Sequence, residues 1–67
     1  MEDLPLYANR ILQVIKKRKG KASWKDIMKD TRLSGYLISE GIRLLKEKGL
    51  VEVVKDKTGR VIYVLKT

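Results

Sequence analysis

One stretch of the sequence, residues 34–48, combines an apolar stripe with polar side chains that could recognise a partner. Apolar residues recur in it at helical spacing, which predicts one helix with a buried face. Leu37, Ile38, Ile42 and Leu45 recur at this spacing, and Ile38, Ile42 and Leu45 would form the buried face. The opposite strip would carry Gly35, Tyr36, Ser39, Glu40, Arg43, Lys46 and Glu47. These side chains offer hydrogen bonds and charge, which is the chemistry of recognition. The alternative is that they are ordinary solvent-exposed positions of an amphipathic helix.

Side chains suited to catalysis or metal binding are scarce. The sequence contains no Cys and no His, so it lacks thiolate nucleophiles, disulfides, the usual general base and the commonest metal ligand. The acidic residues are scattered among lysines and suggest no metal cluster or nucleophile-base pair. We therefore expect no enzymatic activity, no cofactor and no metal site.

Positive charge dominates the composition. Sixteen Lys and Arg residues against eight Asp and Glu residues give a formal net charge of +8 in 67 residues. The cations are spread along the chain, which suits a folded basic surface better than a disordered tail. Such a surface predicts a polyanionic partner. The alternative, a heat-adapted surface rich in ion pairs, predicts a near balance of signs, which a two-to-one excess does not show.

Length limits the architecture to one domain, residues 1–67, with one small core, and so small a core makes self-association a reasonable expectation. No apolar run approaches the roughly 20 residues that span a bilayer. The sequence after Met1 does not resemble a signal peptide. We therefore expect a soluble, cytoplasmic protein that does not bind a membrane.

A first helix is predicted to start near Leu4. Pro5 suits its first turn, because a proline there loses no hydrogen bond. Glu2 and Asp3 would complement the positive end of the helix dipole. The helix would end in a run of four cationic residues before Gly20, which is a suitable stop.

A second, shorter helix is predicted at residues 24–31. Ser23 can cap it, and Asp26 three residues later is close to the capping-box pattern. Ile27 and Met28 would then point into the core. A tight turn, with an apolar residue at 33 as its buried plug, would lead into the helix at 34–48.

After Gly49 the apolar residues alternate, which predicts a β-hairpin with strands at 51–55 and 60–65. Residues 56–59 would form the turn, with Gly at the position that takes positive φ. Residues 21–22 are long enough for one extended pairing, onto this hairpin.

The register of the hairpin decides which side chains face the core. Pairing Lys55 with Arg60 would set Val53 opposite Ile62 and Val51 opposite Val64. That register turns an aliphatic face inward and leaves Glu52, Val54, Val61 and Tyr63 outside. A one-residue bulge at the turn glycine would change it.

The order helix, short strand, helix, tight turn, helix and basic hairpin resembles the winged helix-turn-helix superfamily of DNA-binding domains. Leu33 and Ser34 before the third helix, and Ile38 and Ile42 within it, carry part of the likeness. The pattern L-x-x-x-G-L-V at residues 45–51 is similar to the join between recognition helix and wing in many prokaryotic transcriptional regulators.

The resemblance implies an α+β fold, in which a three-helix bundle containing a helix-turn-helix is followed by a C-terminal β-hairpin wing. It also implies a nucleoid-associated protein that binds double-stranded DNA and regulates transcription. The recognition helix, residues 34–48, would enter the major groove, and the basic wing, residues 55–60, would contact the backbone or minor groove.

The resemblance assigns site residues by position. Near base edges it implies Ser34, Gly35, Tyr36, Ser39, Glu40 and Arg43, with Lys46 farther along the same strip. At the start of the second helix, Ser23, Trp24 and Lys25 would meet the phosphate backbone. At the tip, Lys55, Lys57, Thr58 and Arg60 would touch phosphate or the minor groove.

Two of these residues have a second explanation. Trp24 could simply pack against the core or cover the end of the second helix. Glu40 would oppose DNA unless its carboxylate accepts from a cytosine amino group or pairs with Arg43 one turn away.

Other functions fit the same sequence. A winged helix can act as a protein-interaction module without direct DNA readout, using Leu37, Leu44, or Leu6 and Tyr7, because so small a core has little room for them all. Leu6 and Tyr7 would then form a homodimer contact through the first helix, or else fold over the end of their own core. RNA binding is less favoured, because the aromatic residues are dispersed and no pair is placed to stack successive bases.

Overall fold

Three helices and one antiparallel sheet make up the structure, a computed structural model that describes residues 4–66. The elements are α1 (Leu6–Lys17), β1 (Lys21–Ser23), α2 (Trp24–Thr31), α3 (Gly35–Glu47), β2 (Val51–Lys55) and β3 (Val61–Leu65). The strands lie in the order β1-β3-β2. This is the expected α+β arrangement, and it fits a winged helix. Within residues 4–66, none of the helices has the length and apolar composition needed to cross a lipid bilayer.

The core lies between the three helices and the inner face of the sheet. Its fully buried large side chains come from all three helices: Ile11, Ile15, Ile27, Ile38 and Leu45. Ala22 of β1 and Val51 of β2 are also buried and close the sheet side of the core. The helical spacing of the apolar residues thus correctly identifies Ile27 of α2 and Ile38 and Leu45 of α3 as inward positions.

The start of α1 differs from the prediction. Pro5 is not in the first helical turn but precedes it, with ψ at 156°, and its carbonyl accepts from the Asn9 backbone N–H. A proline suits this flanking position as well, because no helical hydrogen bond requires its missing N–H. The predicted start near Leu4 is therefore wrong by two residues. Glu2 and Asp3, predicted to complement the helix dipole, lie outside the described residues.

Helices α1 and α3 approach closely at Gly41. A Cβ atom added to Gly41 would lie 2.5 Å from Ile11 Cδ1 and 3.4 Å from the Cα of Ala8. The same atom would lie 3.4 Å from a ring carbon of Tyr7, so Tyr7 packs over its own core. Leu6 does not, and it is 74% exposed.

Helix α2 has the predicted boundaries and the predicted cap. The Ser23 hydroxyl accepts from the Asp26 N–H, and the Asp26 carboxylate accepts from the Ser23 N–H, each at 3.1 Å. The inward position of Met28 is wrong, because this side chain is 40% exposed. Thr31 is buried instead, one turn after Ile27, and its hydroxyl donates to the Ile27 carbonyl at 2.7 Å. That bond satisfies the polar group and lets a threonine face the core.

Helix α3 also begins and ends as predicted. Ser34 is its N-cap, with the side-chain oxygen accepting from the Leu37 N–H at 3.3 Å. Its C-cap is Lys48, followed by Gly49 at φ +73°, a left-handed conformation that ends the helix. Leu33, in the turn before it, is half-buried and packs against the core.

The hairpin forms, but its predicted register is wrong by one residue. Lys55 pairs with Val61 and Val53 with Tyr63, not with Arg60 and Ile62. The cause is a five-residue connection, residues 56–60, in which the Asp56 N–H donates to the Arg60 carbonyl at 3.0 Å. Gly59, at φ +85°, supplies the left-handed residue that accommodates the extra position.

The register changes which side chains of β3 face inward. Tyr63 and Leu65 pack against the core, together with Val51 of β2. Ile62 and Val64 therefore lie on the other face of the sheet. Strand β1 pairs with β3, with Ala22 opposite Tyr63. The expected pairing of residues 21–22 with the hairpin is therefore confirmed.

Candidate nucleic-acid interface

The outer strip of α3 is exposed to solvent. Tyr36 is 73% exposed, and Ser39, Arg43 and Lys46 are also exposed along the same side of the helix. Helical spacing of three or four residues puts these side chains in one row. The strip therefore offers a phenol, a hydroxyl and two cations to a partner.

Arg43 is held in place by two carboxylates on its own helix. Its Nη2 donates to Glu40 Oε1 and its Nη1 donates to Glu47 Oε2, both at 2.7 Å. These two hydrogen bonds, that with Glu40 first, raise the pKa of the guanidinium above its ordinary value. Glu40 and Glu47 balance the charges of Arg43 and Lys46, so this strip carries no net charge. Of the two possibilities raised for Glu40, the structure has the pairing with Arg43.

A groove runs between α3 and the hairpin. It is lined by Trp24, Ser39, Ile42, Arg43, Lys46, Val53 and Tyr63, and we call it the α3 groove. Trp24 lines this groove and also packs against the core. The core packing that was the second explanation for Trp24 is therefore observed. Partial burial raises the pKa of the Tyr63 hydroxyl. The groove thus combines an aromatic, apolar lining with polar groups from α3.

A second groove lies between the start of α2 and the hairpin. We call it the α2 groove; its lining is Ser23, Trp24, Lys25, Asp26, Arg60 and Val61. Lys25 and Arg60, far apart in the sequence, contribute their cations to the same groove. Trp24 lines both grooves, which therefore adjoin.

The capping box limits what the start of α2 offers to an anion. The Asp26 N–H is already bonded to the Ser23 hydroxyl, and the Ser23 N–H to the Asp26 carboxylate. The bond from the Ser23 N–H is the largest cause that lowers the pKa of Asp26, so this group is a carboxylate at neutral pH. An anion in the α2 groove would be attracted mainly by Lys25 and Arg60, not by these N–H groups.

The tip of the hairpin is exposed and carries excess positive charge. Lys55, Lys57 and Arg60 outnumber the single carboxylate there, Asp56. Asp56 accepts from the Thr58 hydroxyl at 2.7 Å and from the Thr58 N–H at 2.9 Å. These bonds, with one from the Arg60 N–H, lower the pKa of Asp56, and the largest cause is the Thr58 hydroxyl. The hydroxyl of Thr58 is thus already engaged within the turn.

The structure gathers only part of the predicted site in the two grooves. It brings together seven predicted residues: Ser39, Arg43 and Lys46 in the α3 groove, Ser23, Lys25 and Arg60 in the α2 groove, and Trp24 in both. Seven others line neither groove: Ser34 at the N-cap of α3, Gly35, Tyr36 and Glu40 on α3, and Lys55, Lys57 and Thr58 at the tip.

Five residues of the groove linings were not predicted as site residues: Asp26, Ile42, Val53, Val61 and Tyr63. Asp26 was assigned to the cap of the second helix and Ile42 to the core, and the other three lie on the hairpin. The sequence signal that could have placed Val53 and Tyr63 on the inner face of the sheet is their spacing of two residues from Val51 and Leu65. The incorrect register placed Tyr63 on the outer face and so concealed its position beside α3.

Neither a metal-binding cluster nor a similarity to known proteins identifies this site further. Within residues 4–66, no group of three or more acidic side chains is placed to hold a metal ion. Comparison of the chain with protein-family models, with curated proteins and with solved structures found no match.

Proposed function

We propose that this chain is a winged helix-turn-helix protein that binds double-stranded DNA and regulates transcription. In this proposal α3 enters the major groove, the hairpin is the wing, and the start of α2 lies against the phosphate backbone. The observation that carries the proposal is the pair of adjoining grooves. They present Ser39, Arg43 and Lys46 of α3 beside Lys25 and Arg60, around Trp24.

Affinity and readout would come from different residues. The α3 strip has no net charge, so it would contribute hydrogen bonds to base edges more than attraction to phosphates. Lys25, Lys57 and Arg60 would supply that attraction from the α2 groove and the hairpin tip. Arg43 would read a base only by exchanging one of its carboxylate partners, Glu40 or Glu47, for the DNA. The loss of that ion pair reduces the net binding free energy that an arginine-guanine contact would contribute.

Binding can be followed through the protein's single tryptophan, because Trp24 lines both grooves. Titration with duplex DNA should change its fluorescence. If about five cations each neutralise one phosphate, log K should fall with log salt at a slope of about −4.5. Binding that does not depend on salt, or no change in Trp24 emission at saturation, would contradict the proposal.

Variants test the division between phosphate contact and base readout. Lys57→Ala should weaken binding to all duplexes and reduce the salt slope by about 0.9. Arg43→Ala should instead weaken binding to a preferred sequence, chosen from random duplexes, more than binding to random DNA. Lys66→Ala, at the opposite end of the hairpin from the tip, is the charge-matched control. Equal losses for Lys57→Ala and Arg43→Ala on both kinds of DNA would remove the proposed division.

One observation favours an additional protein contact. Leu6 is 74% exposed at the start of α1, where no element described within residues 4–66 covers it. A homodimer contact through α1 would bury it and is compatible with DNA binding by two copies. Sedimentation of the wild type and of Leu6→Ser tests this contact. A monomeric wild type at high protein concentration would exclude it.

A further inference from the structure

The sheet has a second face, turned away from the core, which we call the outer face. Residues directly opposite each other on paired strands share a face. The register therefore assigns six residues to the outer face: Lys21 and Ser23 of β1, Glu52 and Val54 of β2, and Ile62 and Val64 of β3. The three apolar residues among them do not pack against the core that residues 4–66 form, and Val54 is 41% exposed. The centre of the outer face is thus an apolar surface outside the core.

Two opposite charges flank this apolar centre. Lys21 and Glu52 both pair with Val64, one from each side of β3. Two strand spacings separate them, about 9–10 Å, with the valine side chain between. Both side chains are exposed, and neither forms an ion pair with another residue of the described range 4–66. Each charge is therefore available to a partner of opposite sign.

The outer face is complementary to a second copy of itself. A two-fold axis that runs along β3, between two outer faces packed together, exchanges the two sides of that strand. Lys21 would then meet Glu52 of the partner subunit, and the same contact would occur twice. Ile62 and Val64 would each meet the same residue of the partner subunit. An axis across the strands would instead set each charge against its own counterpart or against an uncharged residue.

We propose that the outer face is the interface of a homodimer, with Val54, Ile62 and Val64 at its centre and two intersubunit Lys21–Glu52 ion pairs at its sides. Sheets pack face to face with their strands nearly aligned and about 10 Å apart, which this axis allows. Both hairpins would run in the same direction along the axis, so their basic tips would lie at the same end of the dimer. The interface does not include Leu6 of α1, and it does not depend on DNA binding.

The dimer should be weak. Three short strands present a face of only about 14 by 17 Å, which is much smaller than the roughly 800 Å² per partner of a stable interface. The net charge of +8 on each copy also opposes association. At physiological ionic strength, however, exposed charges more than about 8 Å apart are largely screened. We expect a dissociation constant of about 10–100 μM, so that dilute protein is monomeric.

Charge reversal tests the pairing of Lys21 with Glu52 across the two-fold axis. Lys21→Glu would set two carboxylates against each other at both sides of the contact, and Glu52→Lys would do the same with two cations. Each should raise the dissociation constant, measured by sedimentation equilibrium, about tenfold. Lys21→Glu/Glu52→Lys should return it to within about threefold of the wild type, because both ion pairs form again with exchanged signs. Lys17→Glu, on α1, changes the net charge as Lys21→Glu does and should not weaken the dimer.

A mixture of the two single variants gives a sharper result. Lys21→Glu repels its own copy and so does Glu52→Lys, whereas a heterodimer of the two has opposite charges at both sides. An equimolar mixture should therefore associate about tenfold more tightly than either variant alone. A mixture that associates no better than its components would overturn the proposed arrangement.

Val64→Thr tests the apolar centre without changing the charge. Threonine keeps the β-branched shape that suits a strand, but its hydroxyl would be buried in the contact. The dissociation constant should rise about tenfold, while circular dichroism should show a folded protein. An unchanged dissociation constant would overturn the apolar contact. Self-association that is lost in Leu6→Ser but kept in Lys21→Glu would assign the dimer to α1 and would also overturn the inference.

DNA binding provides a separate measurement. Lys21→Glu/Glu52→Lys and Val64→Thr both keep the net charge of the wild type and alter neither α3 nor the hairpin tip. At concentrations where the protein is monomeric, both should bind one short duplex within about twofold of the wild-type affinity. A wild type that dimerises but binds no duplex would remove the proposed function and leave the dimer. A wild type that binds DNA but stays monomeric at millimolar concentration would remove the dimer alone.

Discussion

The Arg43 guanidinium lies 2.7 Å from a carboxylate oxygen of Glu47, one helical turn away on the outer strip of α3. Glu40 binds the same guanidinium from the opposite side, also at 2.7 Å. Arg43 is therefore engaged in two ion pairs within its own helix. Any role it has in DNA recognition is limited by these two carboxylates.

Removing the carboxylates should strengthen DNA binding. In Glu40→Gln/Glu47→Gln, two negative charges disappear from the proposed interface and Arg43 is free to contact DNA. We expect tighter binding to every duplex at low salt, and a salt slope steeper by about 0.9 from one added phosphate contact. Glu52→Gln, which removes one carboxylate from β2 and none from α3, is the control and should bind nearly as the wild type does. Unchanged affinity in the double variant would show that α3 does not face the DNA.

A methyl group at Gly41 should destabilise the fold. Alanine has the higher helix propensity, which would add about 1 kcal/mol to stability. Its Cβ, however, would lie 2.5 Å from the end of the fully buried Ile11 side chain and 3.4 Å from the Ala8 backbone. Overpacking of this kind costs about 1–3 kcal/mol, so Gly41→Ala should lower the free energy of unfolding by up to about 2 kcal/mol.

Gly35→Ala is the control for this effect, because it makes the same change in the same helix. There the nearest atom to the added Cβ would be Trp24 Cζ2 at 3.9 Å, an ordinary contact. This variant should be as stable as the wild type or slightly more stable. Urea unfolding of both variants decides the matter, and equal stability of the two would refute the close approach of α1 and α3.

Thr31 should be difficult to replace with an apolar residue of the same shape. Its hydroxyl donates to the Ile27 carbonyl at 2.7 Å and accepts from the Leu33 N–H at 3.2 Å. Thr31→Val would leave that N–H without this partner and should lower the free energy of unfolding by about 1–3 kcal/mol. Thr31→Ser keeps the hydroxyl and should lose less. Thermal unfolding by circular dichroism measures both, and a valine variant more stable than the serine variant would contradict the role of the hydroxyl.

Acid should destabilise the protein through three aspartates. The pKa of Asp26 is lowered chiefly by the Ser23 N–H, that of Asp30 by the Arg18 guanidinium and that of Asp56 by the Thr58 hydroxyl. A carboxyl group whose pKa is lower in the folded state stabilises the fold above its unfolded pKa, about 3.9. That contribution is lost as the pH falls through the lower, folded pKa. We therefore expect a nearly constant melting temperature from pH 7 to about 5 and a decline below about pH 4.

The cap of α2 provides the variant for this prediction. Asp26→Asn should lower stability at pH 7 and make the acid decline shallower, because one of the three carboxylates is gone. Glu52→Gln removes a carboxylate that makes no hydrogen bond or ion pair among residues 4–66, and it should keep the wild-type profile. An Asp26→Asn protein with the full acid decline would rule out a contribution from the capping box.

The helices were predictable because their signals are local. Ser23 with Asp26, and Ser34 with Gly49, mark ends that depend on a few neighbouring residues, and the structure has those ends. Met28 shows the limit of the periodicity argument. Thr31 takes the inward position only because its hydroxyl can bond back to the preceding turn, and hydropathy does not record that bond.

The register of the hairpin could not be read from the sequence. Residues 61–65 are all apolar, so either alternate set, Ile62 and Val64 or Tyr63 and Leu65, would bury an apolar face. The number of residues in the turn decides between them, and that number depends on the hydrogen bonds that Asp56 makes. The lining of the α3 groove could not be predicted for the same reason, because Val53 and Tyr63 line it together only in the observed register.

The same turn determines which changes the hairpin can tolerate. Because a strand alternates with a period of two, deleting one residue between Asp56 and Arg60 would exchange the two faces of β3 and remove Tyr63 from beside Trp24. Replacing Lys57 by another polar residue would leave the pairing of β2 with β3 as it is. Insertions and deletions of a single residue at the tip are thus incompatible with the observed strand pairing, whereas the charge of the tip can be varied without changing that pairing.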